Sequence, residues 1–309
     1  MSSADLWRPA SGCGPRCLPG ATGSTVSPAR RAARLLGVVG MLLVGVGLAV
    51  VLPVLPARER RAALRGWARG TLRALGVRLA VRGRLPRRRA LLVANHVSGL
   101  DVLAVLAVAP ARMVAKREVR DWPVVGPLAA AAGTVFVDRS RPRDLPGTVG
   151  RVTAALRAGH SVAVFPEGTT WCGTAADCRP NRGFRPAMFQ AAVDAGAPVV
   201  PLRLSYRYAG EPTTLAAFLG EETLWECVRR VLAARDLTVS VGLGAALHPA
   251  AGADRRMLAR AAESAIHLVP PPATAGSPGR AVDPVAGPLS SLPIGGPTVR
   301  RESELDLAA

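Results

Sequence analysis

His96 and Asp101 stand five positions apart in Asn95-His96-Val97-Ser98-Gly99-Leu100-Asp101, directly after the apolar run Leu91-Leu92-Val93-Ala94. A buried strand then ends at a histidine. A helix starting near Ser98 puts Asp101 in its first turn, where the carboxylate can point back at the imidazole. A carboxylate on one ring nitrogen fixes the tautomer and leaves the other nitrogen to take a proton from a hydroxyl. This is base-plus-orienter chemistry without a serine nucleophile. Taken alone, the pair also fits a surface histidine beside a helix-capping aspartate.

Three further blocks bear on that choice. Phe165-Pro166-Glu167-Gly168-Thr169-Thr170 follows the apolar run Val162-Ala163-Val164. A glycine with neighbouring hydroxyls and backbone N–H groups suits an anionic group. At the carboxyl ends of two strands of one α/β sheet, this block and the His96 block fall where ligands bind. Gly133-Thr134-Val135-Phe136-Val137-Asp138-Arg139 ends in an arginine placed after a strand, suited to clamping a phosphate. Lys116-Arg117-Glu118 and Trp122-Pro123-Val124-Val125-Gly126 lead into it. Ala197-Pro198-Val199-Val200-Pro201 reads as a strand interrupted by prolines, hence an edge or bulged strand.

The elements that must position these residues alternate. Strand-like runs fall at 77–81, 90–94, 112–115, 134–137, 161–165, 198–204 and 237–241. Helical patterns fall at 100–108, 128–132, 148–158, 185–195 and 255–266. Alternation of this kind predicts an α/β domain over 77–268. The runs at 90–94 and 161–165 lack a polar face and are expected in the sheet centre.

Ahead of that domain, residues 1–29 are rich in Gly, Pro and Ser and read as a disordered leader. Arg30, Arg31 and Arg34 precede the uncharged stretch Leu35–Pro56, about long enough to cross a ~30 Å hydrocarbon layer. The long polar leader without a small-residue cleavage site argues against a signal peptide. Arg58, Arg60, Arg61, Arg65, Arg69 and Arg73, interleaved with Leu64, Trp67, Leu72 and Leu75, predict a basic amphipathic helix on a membrane surface. The basic excess after the apolar stretch puts the main domain on the cytoplasmic face of the cell membrane. Residues 269–309 read as a disordered tail. Segment 30–76 is therefore expected to be membrane-associated.

The chain carries 40 Lys+Arg against 21 Asp+Glu, a formal charge of +19. Such a surface favours polyanions, whether anionic lipid or nucleic acid. Aromatics at 4% and the lack of a nucleic-acid motif count against the second. The five cysteines are odd in number and irregular in spacing, which argues against a disulfide framework. Only four histidines are present, and none pairs at zinc-ligand spacing.

Taken in order, the four blocks resemble the glycerolipid acyltransferase family typified by 1-acyl-sn-glycerol-3-phosphate acyltransferases. Asn-His-x-x-x-x-Asp, Gly-x-x-Phe-x-x-Arg, Phe-Pro-Glu-Gly-Thr and Val-Pro occur in the family's sequence, between Leu91 and Tyr206. The resemblance implies a mixed α/β sheet flanked by helices, preceded by a membrane-associated helical segment. It implies that His96 deprotonates the acceptor hydroxyl, that Asp101 orients His96, and that no covalent acyl-enzyme forms. Arg139, Glu167, Gly168 and Thr169 would form the acceptor pocket with Arg139 on the phosphate, and Lys116 is a second cation for that anion. Asn95, Ser98 and Thr170 join the substrate-binding set. The implied partners are a lysophospholipid acceptor, an acyl-CoA or acyl carrier protein thioester, and an anionic membrane surface. No metal or organic cofactor is implied.

One position departs from the pattern. The glycerophosphate enzymes carry arginine after Phe-Pro-Glu-Gly-Thr, and here Thr170 stands there. That variant resembles bacterial relatives acting on other lysolipids, including lyso-ornithine lipid. Arg179, Arg182 or Arg185 could restore the charge. The leading expectation is acylation of 1-acyl-sn-glycerol-3-phosphate to phosphatidate. The alternatives are acylation of lyso-ornithine lipid or a glycolipid, and a non-catalytic basic protein binding membrane or nucleic acid.

Overall fold

The computed structural model describes residues 11–20, 25–86, 89–173, 178, 180, 183–220 and 222–269. Strands β1 (Val77–Arg82), β2 (Leu91–Ala94), β3 (Arg112–Lys116), β4 (Val135–Val137), β5 (Val162–Val164), β6 (Val199–Tyr208) and β8 (Leu237–Leu243) form one sheet in the order β1-β8-β6-β2-β5-β3-β4. The two-residue β7 (Glu211–Pro212) folds back on the end of β6. Strands β6, β2, β5, β3 and β4 run parallel, β8 is antiparallel to β6, and β1 runs parallel to β8. The sheet is mixed, as expected.

The period of two explains why β2 has no polar side. Leu92 and Ala94 enter one core, with Leu72, Ala104 and Val231, while Leu91 and Val93 enter the other, with Val152, Phe189 and Leu258. Helices α2 (Ala57–Ala74), α3 (Leu100–Val108) and α7 (Leu224–Ala233) supply the first core. Helices α5 (Leu145–Arg157), α6 (Ala187–Ala195) and α8 (Arg255–Leu268) supply the second. A shorter helix, α4, spans Val125–Ala131. Helix α7 was not anticipated, although Thr223 and Glu226 start it with a reciprocal capping box.

The apolar stretch forms α1 (Pro28–Val51), capped by the Ser27 side chain and begun by a proline. Helix α1 lies antiparallel along α2. Small residues allow close approach: Gly37 meets Ala74, Gly70 meets Met41, and Gly45 sits under the Trp67 ring. The Trp67 indole N–H donates to the Met41 carbonyl at 2.8 Å. On the outer side Leu36, Leu43, Val50 and Val54 are each at least two-thirds exposed. An uncovered apolar face of this length fits a membrane-associated segment.

Three expectations are corrected. First, the apolar stripe of α2 does not face a membrane: Leu64, Ala68 and Leu72 are buried, with α3 and α1 packed on the helix. Helix α3 is apolar all round and needs that cover. Arg65 and Arg69 also turn inward, donating to the Val108 and Ala107 carbonyls at 3.4 and 3.0 Å. There they satisfy the orphan acceptors at the end of α3. Second, part of the leader is ordered. A 3₁₀ turn spans Pro15–Cys17, Cys13 is buried, and Val26 donates its N–H to Ala233. Thr214 holds the leader by donating its hydroxyl to the Cys17 carbonyl at 2.6 Å. Residues 1–10 and 21–24, and the tail beyond Val269, lie outside the described residues. Third, of the two alternatives for the Val-Pro strand, edge or bulge, the edge is excluded. β6 lies between β8 and β2, with Pro201 inside it. Val199 pairs with Leu247 and the Pro201 carbonyl accepts from Gly244. The chain therefore bulges between Gly244 and Leu247, where a missing proline N–H leaves no ladder bond broken.

Candidate active site

β2 ends at Ala94, and the next residue continues its pairing with a side chain. The Asn95 amide donates to the Leu204 carbonyl at 2.9 Å and accepts from the Leu204 N–H at 2.8 Å. Asn95 thus ties the end of β2 to β6. His96 emerges above this tie. Its Nδ1 lies 2.9 Å from Asp101 Oδ2. That same oxygen accepts the Val97 and Ser98 N–H groups at 2.6 and 2.8 Å. Asp101 is fully buried in the first turn of α3, as the spacing predicted. Its Oδ1 accepts the Tyr206 hydroxyl at 2.5 Å. Ser98 is also buried, its hydroxyl oxygen accepting the Leu100 N–H. An acceptor-only carboxylate with four donors around it holds Nδ1 as the donor. The imidazole remains about one-fifth exposed, and among the described residues no partner meets its Nε2.

The loop after β5 packs on the other side of the ring. Phe165 stacks on His96 with centroids 4.0 Å apart and planes 12° from parallel. Glu167 is buried, and its Oε2 accepts the His96 backbone N–H at 2.6 Å. Gly168 takes φ 75°, a left-handed turn that brings its N–H back to the Phe165 carbonyl. Thr170 donates its hydroxyl to the Phe218 carbonyl at 2.5 Å, and the Trp171 N–H reaches the His96 carbonyl at 3.1 Å. The Thr169 hydroxyl makes only a long 3.5 Å contact with the Thr170 carbonyl.

Burial pushes Glu167 up to about 7 from 4.5, against the pull of the His96 N–H. Between those two pH values the folded chain holds a proton that the unfolded chain has released. Glu167 therefore contributes stability below about 4.5 that is lost as the pH rises through about 7. Glu167→Gln keeps the acceptor and removes the titration. Relative to the variant, the wild type should lose on the order of 3 kcal/mol between pH 4.5 and 8. Thermal melts of both across that range check it, and parallel curves would refute it.

The cations lie further along the same carboxyl edge. Lys116, at the end of β3, has its ammonium 6.0 Å from the Trp122 ring centroid. Arg139 follows β4, three strands from β2, hence on the order of 14 Å away at the usual strand spacing. It is half-buried, and none of the hydrogen bonds among the described residues uses its guanidinium. Burial lowers its pKa, and Glu118 opposes that shift. Neighbouring Asp138 is engaged by Ser140 and Arg117, which hold its pKa down to about 2. Arg185 is joined to the Phe165–Thr170 loop by its N–H on the Pro166 carbonyl. Arg179 and Arg182 lie outside the described residues. A basic cleft of about 360 Å³, with Arg60, Arg89, Arg112 and His160 in its wall, opens at the amino ends of the strands instead, touching only Gly133 at the start of the Arg139 block.

His96 and Asp101 thus come together with Glu167 behind them. Arg139 and Lys116 stand apart along the edge. Asn95 and Ser98, expected at the substrate, spend their side chains on the chain's own backbone. Sequence reasoning missed Tyr206 and Phe165 as parts of the site. Tyr206 lies 105 residues from Asp101, beyond any local spacing rule, and only the apolar character of its strand was visible.

The geometry thus sets a histidine, oriented by a buried carboxylate, at the carboxyl ends of the parallel strands, an arrangement suited to taking a proton from a hydroxyl. The Acyltransferase family model matches residues 78–205. A lyso-ornithine lipid O-acyltransferase from Pseudomonas aeruginosa is 37% identical over 244 residues, covering 77% of this chain and 91% of the relative. A 1-acyl-sn-glycerol-3-phosphate acyltransferase from Neisseria gonorrhoeae is 33% identical over 214 residues, covering 69% and 82%. The crystal structure of PlsC, the 1-acyl-sn-glycerophosphate acyltransferase of Thermotoga maritima, shares the fold with a TM-score of 0.51 at 19% identity, over 76% of this chain and 95% of that one. The chain belongs to the lysophospholipid acyltransferase family, and it is an acyltransferase rather than a non-catalytic basic protein.

Proposed function

We propose that this chain moves a fatty acyl group from an acyl-CoA or acyl carrier protein thioester to the free hydroxyl of a lysophospholipid. The observation that carries the reading is the His96–Asp101 pair with Nε2 open at the sheet edge. His96 Nε2 takes the hydroxyl proton while the oxygen attacks the thioester carbonyl. Asp101 stabilises the imidazolium that results. The tetrahedral intermediate collapses, the C–S bond breaks, and the thiolate leaves with the proton from Nε2. The ester and the free thiol are the products, and no cofactor is needed beyond the thioester. α1 anchors the protein in the membrane with the catalytic domain on the cytoplasmic face, where both donors are found.

For the acceptor, Arg139 supports 1-acyl-sn-glycerol-3-phosphate, because a guanidinium with no hydrogen-bond partner among the described residues suits a phosphate monoester. Lys116 adds a second positive charge on the same edge. Thr170 supports a second reading, lyso-ornithine lipid. It places no cation beside the Glu167 loop, its hydroxyl is spent on Phe218, and the Pseudomonas aeruginosa relative is named for that substrate. An acceptor panel with purified protein, scored by thiol release, separates them. On the first reading lysophosphatidate is the best acceptor, and Arg139→Ala raises its KM at least tenfold, about 1.4 kcal/mol of binding. Faster turnover of lyso-ornithine lipid, indifferent to Arg139, would instead establish the second.

A further inference from the structure

The leader and the catalytic loop meet through sulfur. Cys13 and Cys17 precede α1, and Cys172 and Cys178 follow Thr170. The four Sγ atoms all lie within 4.8 Å of one another, with Cys17 and Cys178 at 3.5 Å. Cys13, Cys172 and Cys178 are buried, Cys17 is half-buried, and none is in a disulfide. The Cys172 N–H donates to Cys13 Sγ at 3.2 Å, the kind of bond that supports a metal-bound thiolate.

We infer that Cys13, Cys17, Cys172 and Cys178 form a tetrathiolate site for a structural zinc ion, separate from the acyl-transfer site. Zinc–sulfur bonds of about 2.3 Å in a tetrahedron place sulfurs about 3.8 Å apart, in line with the spacing here. Two disulfides would instead need pairs near 2.05 Å. All six distances are short together, which is a cluster rather than two pairs. Soft thiolates in a closed set of four select zinc over hard cations. Binding expels the four thiol protons, and the ion holds the four sulfurs as thiolates. Cys172 adjoins Trp171, whose N–H holds the His96 carbonyl. The ion would clasp the leader to the loop that backs His96 and fix the chain entering α1.

The test uses the full chain, purified in detergent with a phosphine reductant and no chelator. Elemental analysis should find about one zinc per chain. Cys13→Ser or Cys178→Ser should lower that by roughly tenfold or more. Cys227→Ser should leave it unchanged, since Cys227 is buried against the Ala216 carbonyl, outside the cluster. If the serine variants fail to fold, cobalt exchange on the wild type still decides. Tetrahedral d–d bands with thiolate charge transfer support the site. Wild-type protein without zinc or a cobalt spectrum would overturn it, whether its four thiols titrate freely or mass spectrometry shows two disulfides.

Discussion

We expect His96→Ala to lower kcat for acyl transfer by roughly 10²–10⁴-fold, the contribution of a positioned general base. The KM for the lysolipid should change little, because the imidazole acts on the hydroxyl proton and not on the headgroup. The variant should still fold. His96 presents one face to Phe165 and stays about one-fifth exposed, and the backbone bonds of residue 96 to Glu167 and Trp171 do not depend on the side chain. Thiol release from acyl-CoA, measured beside a thermal melt, separates chemistry from folding. Wild-type turnover in a folded His96→Ala protein would refute the mechanism.

Asp101 should affect both fold and rate. Asp101→Ala strands the Val97 and Ser98 N–H groups and the Tyr206 hydroxyl in a site with no exposed surface. At about 1–3 kcal/mol for each orphaned buried donor, the cost is on the order of 5 kcal/mol. That lowers Tm by roughly 10 °C or more for a domain of this size. Asp101→Asn is the informative contrast. With its oxygen toward the three N–H groups and its amide toward Tyr206, asparagine can meet every partner. It should therefore retain most of the stability. It lacks the charge that stabilises the imidazolium, so kcat should still fall by on the order of 10²-fold. An Asp101→Asn enzyme as fast as the wild type would show that orientation alone suffices. One as unstable as the alanine variant would show that the amide cannot replace the carboxylate in its four-donor cradle.

Burial bears on how this carboxylate persists. An isolated charge with no exposed surface would be expelled or neutralised. Asp101 is held by donors from three sources: the His96 ring, the turn at Val97 and Ser98, and Tyr206 of β6. Each fixes the carboxylate from a different direction, so the imidazole finds its partner already oriented. Phe165 then limits the ring's swing from the opposite side.

Much of this was legible in the residues. The apolar run before His96 and the five-residue step to Asp101 predicted a strand end and a first helical turn, and both are there. The lack of polar alternation in Leu91–Ala94 and Val162–Val164 predicted central strands, and β2 and β5 are neighbours at the middle of the sheet. At Pro201 the edge alternative fails and the bulge alternative holds, although the bulge that accommodates the proline lies in another segment, between Gly244 and Leu247. Amphipathicity misplaced α2, because a stripe of Leu64, Ala68 and Leu72 marks a buried face without saying what buries it.

By itself, then, the sequence determined the local elements, the order of the four blocks and the pair at His96 and Asp101. These depend on hydrophobic period and on spacings within a single turn. Only the tertiary structure decided that Tyr206 completes the Asp101 cradle, that Asn95 is tied to Leu204, that α3 covers α2, and that cysteines from the leader reach the loop beyond Thr170. Those contacts join residues tens to more than 150 positions apart. Strand order and register bring them together, and no local pattern encodes which distant side chains will meet.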